Sequence, residues 1–479
     1  MPLTFRTAGE SHGKALLALV EGVPAGLPIS ADAVDKDLGR RMQGHGRGAR
    51  MKIEQDRIEW ISGVRAGETI GSPIAMLIHN RDWANWEEVM SAEGTPGELR
   101  RRRVTRPRPG HADLVGVLKY DRVDARDILE RASARETAAR VAAGAVARRL
   151  LAEFGIDIGS HLVSLGGIRA TVPALLPTPL NYASDASPVR TLDPVAGAAM
   201  IARIDQAKQD GDTLGGEIEV VAQGLPVGLG SHVSWDRKLD GRLAGILMSI
   251  PAVKGVEIGL GFEAARRPGS AVHDPIVATI PTPNDAHGSS ILVGATHASP
   301  QHKPAPGAHE PDVVRAVDAS PQHKPAPGAH EPDVVRAVDA SPQPNRHDEP
   351  MGASTDPRAG FRRVGNNAGG LEGGMTTGEP LVVRVAMKPI STLMSPLKTV
   401  NLATGGEANA VSERSDVTAV PAMGVIAEAL VAIVLADAMI EKFGGDSLAE
   451  MRRNHASYLA SAGARWAALR DAPAPEEER

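Results

Sequence analysis

A chain of 479 residues can bury a large core, and its net charge of −5, from 53 basic and 58 acidic side chains, leaves no global field to recruit nucleic acid or an anionic membrane. The absence of cysteine excludes disulfides and thiolate chemistry and fits a reducing compartment. No basic, apolar leader opens the chain, and its longest greasy run, Ala429 to Ala436, falls far short of the ~20 residues a membrane span needs, so a soluble cytoplasmic protein without a membrane partner is expected.

Early segments read as β structure: Leu16–Val20, then Met51–Glu54 and Ile58–Ile61 on either side of a short Asp56-Arg57 turn, then Ile74–His79. Ser30 can cap a helix from Ala31 to about Arg41. Ser133 and Glu136 form an S-x-x-E capping box for a helix that runs to Phe154 and stops at Gly155. Further strands are expected at Glu217–Ala222, Val256–Ile258 and Leu381–Met387. Pro421 opens a helix through Phe443 that Gly444-Gly445 closes; it is apolar nearly all round, as a central packed element is. Strands and helices alternate irregularly, which favours an α+β layered fold over a doubly wound parallel sheet.

One stretch breaks this pattern. Residues 299–319 recur letter for letter at 320–340. Two copies are too few for a solenoid, and each is too rich in proline and too poor in aliphatics to offset its ordering entropy. Residues 281–358 are therefore expected to be a disordered insertion, and 461–479 a flexible tail, frayed above all in the Pro- and Glu-rich stretch from Asp471. The remainder, 1–280 with 359–460, is large for one domain but within range.

The chemistry-bearing residues fall into three groups. Arginines crowd Arg40-Arg41, Arg47 and Arg50 around Gly44-His45-Gly46, and Arg100 to Arg103 precede Arg106 and Arg108; planar guanidinium forks suit a small polyanion, though a solvated charged loop gives the same pattern. With only 3% aromatics, a single-stranded nucleic acid would find few stacking platforms. His12 and His111, each beside glycine, can move protons near neutrality or be ordinary loop residues. No H-E-x-x-H and no Cys pair is present, so no metal site is expected; His302, His309, His323 and His330 repeat only because the segment was copied. Asn366 to Gly378 is glycine- and threonine-rich but lacks the strand–GxGxxG–helix order, so tight turns and a flavin or phosphate contact both remain open.

Four segments taken in order carry more than any one alone: Gly9-Glu10-Ser11-His12-Gly13, Arg106-Pro107-Arg108-Pro109-Gly110-His111, Arg131-Ala132-Ser133-Ala134-Arg135-Glu136-Thr137 and Arg414-Ser415-Asp416. Together they resemble the signature segments of chorismate synthase, over about residues 3–280 and 360–450. The resemblance implies a β-α-β sandwich, usually a homotetramer, and the trans-1,4 elimination of phosphate from 5-enolpyruvylshikimate 3-phosphate to chorismate with reduced FMN. It implies His12, His111 and Asp416 as catalytic residues. Arg41, Arg47, Arg108, Arg135 and Arg414 would hold the substrate, and Arg41 and Arg47 also stand at NADP-contact positions. FMN would meet Arg131, Ala132, Ser133, Pro251, Ala252, Gly373, Lys388, Pro389, Ile390, Ser391, Thr392 and Arg414. No reductase domain is evident, which implies an external flavin reductase, with NADPH as an indirect reductant. Two features depart from the family: Pro251 stands where Asn or Gln is common, and the segment between His273-Asp274 and Asn366 is lengthened by the duplication. An NADPH-dependent flavin reductase and a non-catalytic polyanion-binding protein are the alternative readings.

Overall fold

The burial alternation of Ala15–Glu21, every second residue inside, marks a strand with one face on a core and one on its neighbours. The computed structural model describes residues 1–48, 54–93, 102–278, 361–412 and 416–471. Strands β1 (Thr4–Ala8), β2 (Ala15–Glu21), β3 (Ile58–Ser62) and β4 (Ile74–His79) form an antiparallel sheet in the order β1-β2-β4-β3. Helices α1 (Ala31–Met42), α2 (Asp113–Lys119), α3 (Arg126–Ala132) and α4 (Thr137–Ala152) follow or interleave with it. A second antiparallel sheet contains β5 (Asp157–Leu165), β6 (Ile168–Arg169), β7 (Gly216–Gln223), β8 (Val253–Ile258) and β9 (Leu381–Met387), in the order β8-β9-β7-β5-β6. Its helices are α5 (Leu180–Asp185), α6 (Pro194–Asp210), α7 (Leu239–Met248), α8 (Val420–Phe443) and α9 (Leu448–Asp471).

The middle layer is helical. Helix α4 packs on β2 and β1 of the first sheet, α8 packs on β5 and β7 of the second, and the two helices lie along each other with α1 beside both. This is the β-α-β sandwich that the resemblance implied. A helix covered on all sides must be apolar on all sides, which is why α8 reads as hydrophobic throughout; it is long and apolar enough to cross a membrane, yet nearly all of that stretch is buried. Small residues set the helix spacing: a Cβ built on Gly144 would stand 2.6 Å from the backbone of Ala429.

A buried carboxylate sits inside this layer. Glu428, fully buried on α8, accepts from Arg40 (2.9 and 3.1 Å), Arg148 (2.9 Å), Arg190 (2.9 Å), Ser160 (2.6 Å) and Asn181 (3.2 Å). Burial alone would raise its carboxyl; the three guanidinium groups outweigh burial and hold it far below the ordinary range. Arg40 thus belongs to the scaffold although it adjoins Arg41 in the sequence.

Several expectations are corrected. Asp56 is no turn residue but a buried carboxylate, and Glu54 accepts from the Arg81 amide instead of ending a strand; 51–53 lie outside the described residues. Ser133 Oγ does accept from the Arg135 amide, but a 3-10 turn, Ala134–Glu136, precedes α4, and Glu136 turns to Arg140 (2.7 Å) rather than closing a capping box. Helix α4 ends at Ala152, before Gly155 in its left-handed conformation (φ +71°). Helix α6 was not anticipated, although Asp193 caps it, Pro194 opens it and Gly211 ends it. Helix α9 continues through the first part of the expected tail, to Asp471. The expected insertion from 281 to 358 and residues 472–479 lie outside the described residues.

Candidate active site

The Gly9–Gly13 loop joins β1 to β2, and its position is fixed from α3. The Ser11 amide donates to the Glu130 carbonyl (2.9 Å), and the His12 amide donates to the Glu130 carboxylate (2.9 Å). His12 Nδ1 lies 3.0 Å from both oxygens of that carboxylate. Arg126, one turn earlier on α3, donates to it as well (2.9 Å). The imidazole stacks on Trp86, with ring centres 3.9 Å apart, and the guanidinium groups of Arg126 and Arg102 also lie against that indole. Burial would raise the Glu130 carboxyl; hydrogen bonding and charge from His12 and Arg126 hold it below its ordinary value.

Beside this loop, three of the expected substrate arginines converge on carboxylates. Arg135 donates to Asn80 Oδ1 (2.9 Å) and Asp56 (2.5 Å), and Asn80 returns its amide to the carbonyls of Gly13 (2.7 Å) and Glu10 (3.2 Å). Arg41 donates to the other Asp56 oxygen (3.4 Å), to Thr137 (3.0 Å) and to the Ala134 carbonyl (3.0 Å). Arg47 pairs with Asp416 (2.9 Å), which also accepts from the Gly48 amide (2.6 Å). Burial, with the neighbouring charges of Arg47 and Arg135, pushes Arg41 down to about 10 against the pull of Asp56. Arg41 is 3% exposed, so its donors serve the protein itself in this structure.

His111 stands at the start of α2. Its Nδ1 is 2.5 Å from Asp113 Oδ1, and Asp113 accepts three more bonds from Arg108: from the amide (3.0 Å), Nε (2.9 Å) and Nη2 (3.1 Å). Arg108 completes its fork on Thr392 (2.9 Å). Although burial would raise it, bonds from His111 and Arg108 hold the Asp113 carboxyl far below the carboxylate range. Lys388 donates to the Gly110 carbonyl (2.7 Å), and its own amide donates to the carbonyl of Ala252, which has φ +68°. Gly110 is itself left-handed (φ +76°), which lets the backbone turn under the lysine.

Hydrogen bonds and short stretches of chain run between several of the expected flavin contacts. Arg131 donates to the carbonyls of Thr7 (2.9 Å) and Gly9 (3.1 Å), and Ser133 Oγ to Ser11 (3.2 Å). Glu136 pairs with Arg140, which reaches Ser249 (2.8 Å), two residues before Pro251-Ala252, and from there the Lys388–Thr392 segment leads back to His111. Gly373 stands apart from these: it forms with Gly374 the tip of a tight hairpin (Leu371–Glu372 with Met375–Thr376), and its neighbours are His232 and Met375. Arg414 lies outside the described residues, as do Arg50, Arg100 and Arg101. Among the described residues no cluster able to hold a metal ion is present.

Sequence reading missed Asp113, Glu130, Asp56, Asn80 and Trp86. Only Asp113 and Glu130 left a usable trace: each is an acidic residue in a short segment already rich in arginine, where an unpaired charge could not be buried.

The chorismate synthase family profile matches residues 3–302 and 338–440, and its gap falls inside the duplicated stretch. A curated chorismate synthase of Streptomyces coelicolor is 50% identical over 95% of this chain and 98% of its own length. One of Geobacter sulfurreducens is 48% identical over the same shares. A solved chorismate synthase crystal structure, 37% identical, superposes with a TM-score of 0.65 and covers 97% of this chain and 99% of its own. With this coverage and these identities, the chain belongs to the chorismate synthase family.

Proposed function

We infer that the protein is a chorismate synthase, a carbon–oxygen lyase that eliminates phosphate from 5-enolpyruvylshikimate 3-phosphate in aromatic amino-acid biosynthesis. The reading rests on the family match together with one observation: two imidazoles, each backed by a buried carboxylate, adjoin hydrogen-bonded segments, Arg131 and Ser133 beside His12, Lys388 and Ala252 beside His111. The elimination breaks the allylic C–O bond and one ring C–H bond, places a new double bond in the ring and changes no net oxidation state.

The residues fit a phosphorylated flavin. Arg131 keeps 43% of its side chain exposed, and Lys388 is half-buried, so both can reach an anion that the buried Arg41, already bonded to Asp56, Thr137 and Ala134, cannot. Reduced FMN would be held by Arg131 to Ser133, Pro251-Ala252 and Lys388 to Thr392; when bound, it supplies electron density to the breaking bond. His111 gives a proton to the departing phosphate oxygen, and His12 holds a proton at the flavin edge. Arg47, pinned by Asp416, and Arg108, pinned by Asp113, keep positive charge preorganised where phosphate charge develops. Arg414 and Gly373 complete the proposal through the resemblance alone, as do a homotetrameric state, a cytoplasmic location and dependence on an external flavin reductase.

The test is an anaerobic reaction of substrate with chemically reduced FMN. Phosphate release with a new diene absorbance, without stoichiometric flavin oxidation, is the expected result. NADPH consumption in the absence of substrate would instead mark a flavin reductase.

A further inference from the structure

We infer that Asp113 and Glu130 are positioning residues that keep a hydrogen on Nδ1 of His111 and of His12, so that Nε2 is the nitrogen through which each ring exchanges a proton; this rests on the proposed chemistry only for its catalytic consequence. The two histidines come from different elements, yet their surroundings repeat. Each Nδ1 faces a buried carboxylate, at 2.5 Å for Asp113 and 3.0 Å for Glu130. Each carboxylate is clamped by an arginine close in sequence, Arg108 for Asp113 and Arg126 for Glu130. A carboxylate paired to a guanidinium stays ionised and can only accept, so the ring nitrogen against it must donate in the neutral and in the charged imidazole alike. Free histidine in water prefers its hydrogen on Nε2, so the arrangement holds the less favoured neutral form.

The competing arrangement is specific. Arg108 Nη2 also lies 3.1 Å from His111 Nδ1 and 3.4 Å from Nε2, and could donate to a bare Nδ1. That would leave the Nδ1 lone pair facing Asp113 Oδ1 at 2.5 Å, a repulsive contact in a buried place, whereas Nη2 already has that oxygen as an acceptor at 3.1 Å. Among the described residues, Arg108 and Asp113 face His111, while Lys388 holds the neighbouring Gly110 carbonyl and Thr392 holds Arg108. Among the described residues, Glu130 and Arg126 from α3 face His12, with Trp86 and Arg102 in the stack.

The direct test needs no substrate. The full-length protein is labelled with ring-15N histidine, the two signals are assigned with His12→Gln and His111→Gln, and the rings are followed through their titration by long-range 1H–15N correlation. Both neutral rings are expected to show a protonated Nδ1 and a bare Nε2; a neutral ring protonated at Nε2 overturns the inference for that histidine. Asp113→Asn and Glu130→Gln then test the consequence: kcat is expected to fall about 10²–10⁴-fold in both, the range for a misdirected proton donor, with little change in KM for Glu130→Gln and a higher KM for Asp113→Asn, which also unpins Arg108. A fall in kcat with the ring protonation pattern unchanged would make these carboxylates structural only. Should the wild-type protein prove not to release phosphate, the functional reading fails while the ring spectra still decide the inference.

Discussion

Replacing Glu428 by glutamine isolates what one buried charge does for the middle layer. The native carboxylate accepts from three arginines, a serine and an asparagine. Glutamine keeps one acceptor oxygen but puts an NH2 group against donors, and it removes the negative charge that neutralises three guanidinium groups. Breaking a buried pair by deleting one partner costs about 3–5 kcal/mol. Asp37 still faces Arg40 and Arg148, and Asp185 still faces Arg40 and Arg190, so the lower end, ~3 kcal/mol, applies. Urea unfolding followed by tryptophan fluorescence, at one protein concentration, measures it. The pH dependence has a definite sign. The folded-state pKa of Glu428 is depressed below its unfolded value of 4.5, so its contribution is fully present above that value and is lost as pH falls below it. The gap between wild type and Glu428→Gln should be flat near neutrality and narrow in acid. A gap below about 1 kcal/mol, the level of an exposed pair, or one that widens in acid, would refute this account of the cluster.

His111→Ala should lower kcat about 10²–10⁴-fold while leaving the folded state intact by circular dichroism; a near-native rate would remove it from the proton-donor role. Asp56→Asn leaves Arg41 and Arg135 without their shared buried counter-charge, so a loss of about 3–5 kcal/mol in chemical denaturation is expected, together with weaker substrate binding. Gly144→Leu drives a side chain into the Ala429 backbone, and a loss of at least about 1–3 kcal/mol should follow in the same assay.

What was legible in the sequence was local. The ends of Ile74–His79 and Leu381–Met387 follow from apolar runs between breakers, and α8 from its unbroken greasiness, because these signals need no distant partner. Helix α6 carried its own Asp-Pro start and Gly stop, signals that were present and went unread. Asp56 looked like a turn because it is short and polar; its buried role comes from Arg135 on another element, a partner no local window contains. Gly373 forms a turn with Gly374, a conformation compatible with either of the readings its segment left open.

The residue types by themselves marked the Gly9–Gly13, Arg106–His111 and Arg131–Thr137 segments as capable of acid–base and anion chemistry, since imidazole and guanidinium carry those properties wherever they stand, and left ordinary charged loops open as well. Only the tertiary structure decided which arginines hold carboxylates, which stay partly exposed, and which carboxylate the Nδ1 of each histidine faces. Those choices depend on burial, where an ionised group must find its counter-charge across the fold.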